Sequence, residues 1–141
     1  MIKADVTIGL ARLLLGDCRE IAPTLTRPAA VILAIKPQQM EAVLPTYARF
    51  ARASSVFLSI AAGKNIDTLS RLLGKSAAIC RAMPNTPAAI GRGMTVLCAG
   101  SNLTSEQGQM CEALMAAVGE TAWVESEALL DVVTALSGGG P

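Results

Sequence analysis

The sequence contains no histidine, and only 3% of its 141 residues are aromatic. Without imidazole, the protein has no Ser-His or Cys-His nucleophile pair, no histidine general base and no histidine metal ligand. Its four cysteines, Cys18, Cys80, Cys98 and Cys111, are widely spaced and form no CxxC pair. They therefore predict neither a zinc site nor a disulfide framework. We expect reduced and mostly buried thiols, as in a cytoplasmic protein.

Charged residues are also scarce, at 16% of the sequence. Twelve Lys and Arg residues against eleven Asp and Glu residues leave a net charge of +1, which creates no field that would attract nucleic acid or an anionic membrane. No uninterrupted apolar segment approaches the roughly 20 residues that a membrane-spanning helix needs. The apolar run 6–15 follows Asp5 and is interrupted by Arg12, which is not typical of a signal peptide. We expect neither nucleic acid nor a membrane as a partner.

The sequence also lacks the glycine-rich phosphate loop GxGxxG. The pair Gly91 and Gly93 precedes a predicted strand instead of joining a strand to a helix, and the glycines at 138–140 stand close to the last residue. This absence counts against a complete dinucleotide-binding site in the sequence.

The sequence is rich in small aliphatic residues, and 52% of it is hydrophobic. From residue 28 onward, apolar runs of strand type alternate with segments of helical spacing. Strands are predicted at 29–35, 54–60, 77–81, 94–99 and 120–124. Helices are predicted at 38–53, 65–73, 104–119 and 126–136. The alternation predicts an α/β fold, a partial Rossmann-like, mainly parallel sheet with flanking helices. In the segment 1–27 the pattern of apolar residues does not clearly indicate strands or helices, and a helix is possible at 11–15.

Three successive predicted strands end in unusual turns. Lys36 follows the first strand, the small residues 61–63 follow the second, and the turn 83–87 (Met-Pro-Asn-Thr-Pro) follows the third. Each proline of that turn disfavours helical geometry in the preceding residue, so Met83 and Thr86 are both predicted to be non-helical. Ligands of open parallel sheets bind beyond the carboxyl ends of the strands. We therefore expect the three turns to line one wall of a crevice.

Each of these groups has a functional and a purely structural interpretation. Lys36 could meet a phosphate or carboxylate, or be a solvated lysine. The residues 61–63 could admit a flat ring or an anion, or serve close packing of helix on strand. Glu127 suits the first turn of a helix by the helix dipole alone. Asn85 and Thr86 can form hydrogen bonds but are not strong acids or bases. Such a wall orients a ligand, which suits hydride transfer from a cofactor to an activated electrophile.

Four segments, in this order and spacing, together resemble pyrroline-5-carboxylate reductase. They are 34–38 (AIKPQ), 59–63 (SIAAG), 81–88 (RAMPNTPA) and 129–138 (LLDVVTALSG). The resemblance implies reduction of 1-pyrroline-5-carboxylate to L-proline by hydride transfer from NADPH or NADH, the last step of proline biosynthesis. It also implies an N-terminal Rossmann domain and a C-terminal helical domain that interlocks the subunits of a homo-oligomer. A protonated cyclic imine is already electrophilic, so such a protein mainly has to orient it against the hydride.

The resemblance also implies roles for individual residues. Glu127 falls where the family has an acidic residue near the ring nitrogen of the substrate. Asn85 and Thr86 would lie near the nicotinamide. The residues implied to bind the cofactor are Ala34, Ile35, Lys36, Pro37, Ile60, Ala61, Ala62, Asn85 and Thr86. No residue is implied as a catalytic acid, base or metal ligand.

The chain departs from the family at both ends. The opening strand with its glycine-rich loop is missing, no dimerisation helices follow, and Gly139 replaces a serine usual in the family. We therefore expect a truncated piece that is inactive alone, divided into the segment 1–27, a truncated dinucleotide-binding domain at 28–125 and a first helix of the missing domain at 126–141. Two alternatives stay open. One is a non-catalytic Rossmann-remnant module for binding or assembly, and the other is a different NADP oxidoreductase resembling 6-phosphogluconate dehydrogenase.

Overall fold

The fold is known from a computed structural model that describes residues 2–8, 11–16, 25–52 and 54–139. Strands β1 (Ile2–Ile8) and β2 (Ala11–Gly16) pair antiparallel in a sheet of their own. A second sheet contains β3 (Ala30–Leu33), β4 (Val56–Ser59), β5 (Ala78–Pro84), β6 (Gly93–Ala99) and β7 (Gly119–Val124). The helices are α1 (Met40–Tyr47), α2 (Ile66–Leu73), α3 (Ser105–Ala116) and α4 (Glu127–Gly139). Short 3₁₀ helices lie at Pro37–Gln39, Ala48–Phe50 and Thr86–Ile90.

The five strands of the larger sheet lie in chain order. The neighbours β3, β4 and β5 are parallel, β5 and β6 are antiparallel, and β6 and β7 are again parallel. Helices cross between the parallel neighbours, as βαβ connections require. The predicted α/β class, a mainly parallel sheet with flanking helices, is confirmed.

Helices cover both faces of this sheet, because successive strand residues point to opposite sides. On one face Phe57 and Ile79 pack against α1 and α2 in one cluster, and Val96 packs against Leu130 of α4 in a second. On the other face Leu58 and its neighbours pack against α3. Burial on both sides explains the continuous apolar runs of the central strands.

The ends of the helices follow the sequence signals. Asn65 caps α2, because its side chain accepts a 2.9 Å hydrogen bond from the Thr68 amide, and Gly74 ends that helix with φ = 104°. Thr104 and Gln107 form the predicted capping box at the start of α3. No helix in the described part of the chain is long and apolar enough to cross a membrane.

Two local predictions are wrong. Thr86 was expected to be non-helical, yet it begins the 3₁₀ helix Thr86–Ile90. Asn85 is the extended residue instead, with φ = −107° and ψ = 170°, and Pro87 fits the first turn of a helix, where its missing N–H is not needed. The possible helix at 11–15 is a strand, since its apolar residues pair with β1 in a hairpin register.

The close approach of β6 and β7 generates a prediction about glycine. Gly119 has φ = 149°, and a Cβ atom there would overlap the backbone of Gly93. We expect Gly119→Ala to lower the free energy of unfolding by roughly 3 kcal/mol, because backbone cannot yield as a flexible side chain can. Gly91→Ala is the matched control: Gly91 has φ = 69° but open space around it, so about 1 kcal/mol is expected. Urea unfolding of both variants measures the difference, and equal losses would contradict the overlap.

Candidate functional site

A cleft of about 440 Å³ lies between the start of α2, the middle of β5 and the first turns of α4. The residues that line it are Gly63, Asn65, Thr68, Arg81, Glu127, Ala128 and Asp131. Among these residues, Glu127 is the one that the family resemblance implies to contact the substrate. The fold brings the other lining residues close to it.

An ion pair between Arg81 and Glu127 forms the floor of this cleft. The distance from Arg81 Nη1 to Glu127 Oε1 is 2.6 Å. The Arg81 side chain is 5% exposed, whereas that of Glu127 is 28% exposed. Strand alternation places Arg81 on the α2 and α4 face, between Ile79 and Met83, and so between the two apolar clusters of that face. The buried guanidinium thus points to the first residue of α4.

The amino end of α2 holds the same carboxylate oxygen. The Ile66 amide donates a 2.7 Å hydrogen bond to Glu127 Oε1. The turn before α2 contains Gly63 with φ = 75°, a conformation that glycine adopts without strain. The free amides of a helix start also carry partial positive charge, which favours a carboxylate. Glu127 is therefore fixed by two elements besides its own helix.

The second oxygen of Glu127 has no hydrogen-bond partner among the described residues, and the side chain borders the cleft. Asp131 lies one helical turn further along α4 and lines the cleft as well. Arg81, Glu127 and Asp131 together carry one negative charge in excess. Such a cleft suits a small cationic group more than an anion.

The residues implied to bind the cofactor follow the carboxyl ends of neighbouring parallel strands. Leu33 pairs with Ser59, and the Ile60 amide donates a 3.3 Å hydrogen bond to the Leu33 carbonyl. The stretches 34–37 and 60–62 thus leave the sheet side by side. Exposure along them alternates: Ala34, Lys36 and Ala62 are exposed, Ala61 is buried, and Ile35, Pro37 and Ile60 are half-buried.

Asn85 has a structural role that the sequence did not indicate. Its Oδ1 accepts a 2.8 Å hydrogen bond from the Met94 amide and so braces the turn between β5 and β6. The side-chain amide nitrogen is left as a donor. Thr86 is exposed beside it. Neither residue lines the 440 Å³ cleft, nor do the residues 34–37 and 60–62. The cofactor roles stay predictions.

Sequence reasoning missed Arg81, Asn65 and Asp131 as members of the site. A signal for Arg81 was present, since it is a charged residue directly after the apolar strand residues 77–80. Its partner is 46 positions away, and only the packing of α4 on the sheet brings the two together. Asn65 was predicted as a helix cap, and the structure confirms this. Its second position, beside the cleft, gave no signal of its own in the sequence.

Three thiols, those of Cys80, Cys98 and Cys111, are buried and free, while Cys18 lies outside the described residues. A hydrogen bond with Cys111 and burial both raise the pKa of the Cys80 thiol. The same hydrogen bond lowers the pKa of Cys111, whereas burial opposes this. Burial raises the pKa of Cys98, and the negative charge of Glu127 adds to the effect. The expectation of buried thiols is confirmed for these three.

No family model matches the chain. Pyrroline-5-carboxylate reductase from Pseudomonas aeruginosa is 39% identical over 111 residues, which are 79% of this chain and 41% of that protein. The reductase structure from Coxiella burnetii superposes with a TM-score of 0.76 at 36% identity, over 80% of this chain and 42% of the other. The Plasmodium falciparum enzyme, solved with NADP bound, gives 0.73 at 29% identity, with the same coverage. The chain thus spans about two fifths of the length of these relatives, and the resemblance to their family is confirmed.

Burial of the thiols makes their reactivity testable. In a Cys18→Ser variant, we expect none of the three remaining thiols to react rapidly with Ellman's reagent at pH 8, because only an accessible thiolate attacks the reagent. All three should react once the chain is unfolded in guanidinium chloride. The absorbance of the released thiolate counts the groups, and the unfolded variant is the control. Rapid reaction of even one thiol in the folded variant would contradict its burial.

Proposed function

We propose that this chain, which is homologous over about four fifths of its length to pyrroline-5-carboxylate reductases, carries part of the active site that reduces 1-pyrroline-5-carboxylate to L-proline. The observation that carries the proposal is agreement of sequence and fold with the same relatives, at 36% identity and a TM-score of 0.76 for the Coxiella burnetii enzyme. NADPH or NADH would supply the hydride.

The cleft suits the substrate half of this reaction. The ring nitrogen of the substrate is positively charged when the imine is protonated, and the cleft presents Glu127 and Asp131 to it. Such an imine needs orientation more than activation, so a site without histidine is sufficient. Glu127 is the residue that would face the nitrogen, because it lines the cleft and only one of its oxygens is engaged by the described residues.

The cofactor would lie along the carboxyl ends of β3, β4 and β5. Ala34 and Ala62 are exposed there, and their methyl groups leave the backbone accessible to a flat ring. Lys36 is exposed beside them and could pair with a phosphate. These residues fit a nicotinamide dinucleotide, while the sequence contains no GxGxxG loop for its pyrophosphate. Asn85 and Thr86 would complete the wall on the nicotinamide side.

We propose further that the 141 residues are a piece of the reductase and are inactive alone. The chain spans about two fifths of the length of its relatives. By the same resemblance, residues 28–125 would be a truncated dinucleotide-binding domain and residues 126–141 the first helix of the next domain. The substrate is a small molecule, nucleic acid and membranes are not expected as partners, and the cytoplasm is the expected location. Homo-oligomerisation is implied by the resemblance for the intact family.

A non-catalytic binding or assembly module is the alternative that a specific observation favours. Three apolar side chains on α4 are exposed at helical spacing: Leu129 at 47%, Val132 at 54% and Leu136 at 70%. A stripe of this kind on a folded chain marks a surface that another element covers. Such a module would associate through α4 without turning over a substrate.

A chimaera tests the proposed activity. The matched segment of the Pseudomonas aeruginosa reductase is replaced by that of this chain, and oxidation of NADPH and NADH is followed with 1-pyrroline-5-carboxylate. We expect the chimaera to turn over and the 141-residue chain alone not to do so. In the chimaera, Lys36→Ala should raise KM for the cofactor about tenfold, because a charge-assisted hydrogen bond is lost. Glu127→Ala should raise KM for the imine instead.

The controls separate the two candidate functions. Arg71→Gln removes an exposed arginine of α2, paired at 3.7 Å with Asp67, and should leave both Michaelis constants unchanged. A folded chimaera without turnover, or one in which Lys36→Ala and Glu127→Ala leave both constants unaltered, would refute the assigned roles. Turnover by the chain alone at the rate of the intact relative would refute the claim that it is an inactive piece.

A further inference from the structure

Arg81 is a residue whose presence the fold alone does not explain. It is buried in β5, with Ser59 of β4 and Cys98 of β6 beside it. Burying a guanidinium destabilises the fold unless the charge is paired, and an apolar side chain of similar volume usually packs such a position at least as well. The arginine is therefore better explained by its effect on Glu127, its ion-pair partner, than by a contribution to the stability of the core.

Its partner is fixed with more precision than a helix start requires. Glu127 Oε1 receives two short hydrogen bonds, 2.6 Å from Arg81 Nη1 and 2.7 Å from the Ile66 amide. The donors belong to different elements, β5 and α2. One carboxylate oxygen is thereby held in place, and the orientation of the whole carboxylate follows from it. The other oxygen has no partner among the described residues, and the Glu127 side chain lines the cleft.

We propose that Arg81 is a positioning residue of the reductase site: it holds Glu127 against the amino end of α2, so that the second carboxylate oxygen faces the ring nitrogen of the imine. This inference rests on the proposed function for the identity of the ligand, but the holding of Glu127 does not depend on it. Arginine suits this role because its guanidinium is planar, always charged and directional, whereas a lysine ammonium is a flexible point charge.

The position of the carboxylate can be followed without any activity, through the Ile66 amide of the 141-residue chain. A hydrogen bond to a carboxylate moves the amide proton signal downfield and slows its exchange with solvent. We expect Arg81→Met and Glu127→Gln to shift the Ile66 signal upfield and to speed its exchange about tenfold, since a charge-assisted hydrogen bond is weakened. Arg81→Lys should retain part of the effect. Arg71→Gln, in the exposed pair with Asp67, should leave the signal in place.

The functional consequence is measured in the active chimaera. Arg81→Met should raise KM for 1-pyrroline-5-carboxylate about tenfold while KM for the cofactor changes less than about twofold, with partial rescue in Arg81→Lys. A role confined to stability would instead reduce the amount of folded enzyme and leave both Michaelis constants alone.

The outcomes separate this inference from the proposed function. An unchanged Ile66 signal in folded Arg81→Met, or in Arg81→Lys if the methionine variant does not fold, would overturn the positioning of Glu127. An altered Ile66 signal with an unchanged KM for the imine in the active chimaera would overturn its link to the substrate. A chimaera without turnover, together with an altered Ile66 signal, would contradict the proposed function and leave the positioning of Glu127 supported.

Discussion

The parallel alignment of β3, β4 and β5 is the constraint on which the rest of the molecule depends. Three strands that run in one direction end toward one edge, so the turns after Leu33 and Ser59 lie side by side, while β5 continues past Arg81, the partner of Ser59, to Pro84. The crossovers between them need helices, and α1 and α2 bury the apolar face that the alignment creates. The start of α2, with its free amides, is thereby placed at the edge where the strands end.

Onto this edge the fold adds a second constraint, which is electrostatic. Strand alternation puts Arg81 on the face that α2 and α4 cover, between two apolar clusters. A charge in that position requires a counter-charge. Glu127 supplies it at the first residue of α4, where the Ile66 amide can reach the same oxygen. The geometry of the cleft thus follows from satisfying one buried arginine.

Most of the fold could be predicted from the sequence because its signals are local. Apolar runs located all five strands of the larger sheet, and Asn65, Gly74 and Thr104 located helix ends, since a cap acts within four residues of itself. Thr86 was misplaced because the bias before proline is weak enough for a 3₁₀ turn to override. The Arg81–Glu127 pair could not be found in this way, because no local pattern joins positions 46 residues apart.

The same pair ties the first turn of α4 to the sheet and to α2. Leu130 anchors one side of the helix in the apolar cluster with Val96 and Cys98, while Leu129, Val132 and Leu136 are exposed on the other. Glu127 is the first residue of this helix, and its carboxylate is fixed to β5 and α2 rather than to α4 itself. A displacement of the start of α4 would therefore have to stretch hydrogen bonds of 2.6 and 2.7 Å or carry the carboxylate with it. Since charge-assisted bonds of this length are strong, the first turn of α4 resists such movement more than its last turns do. The interaction that shapes the cleft thus also fixes the start of α4.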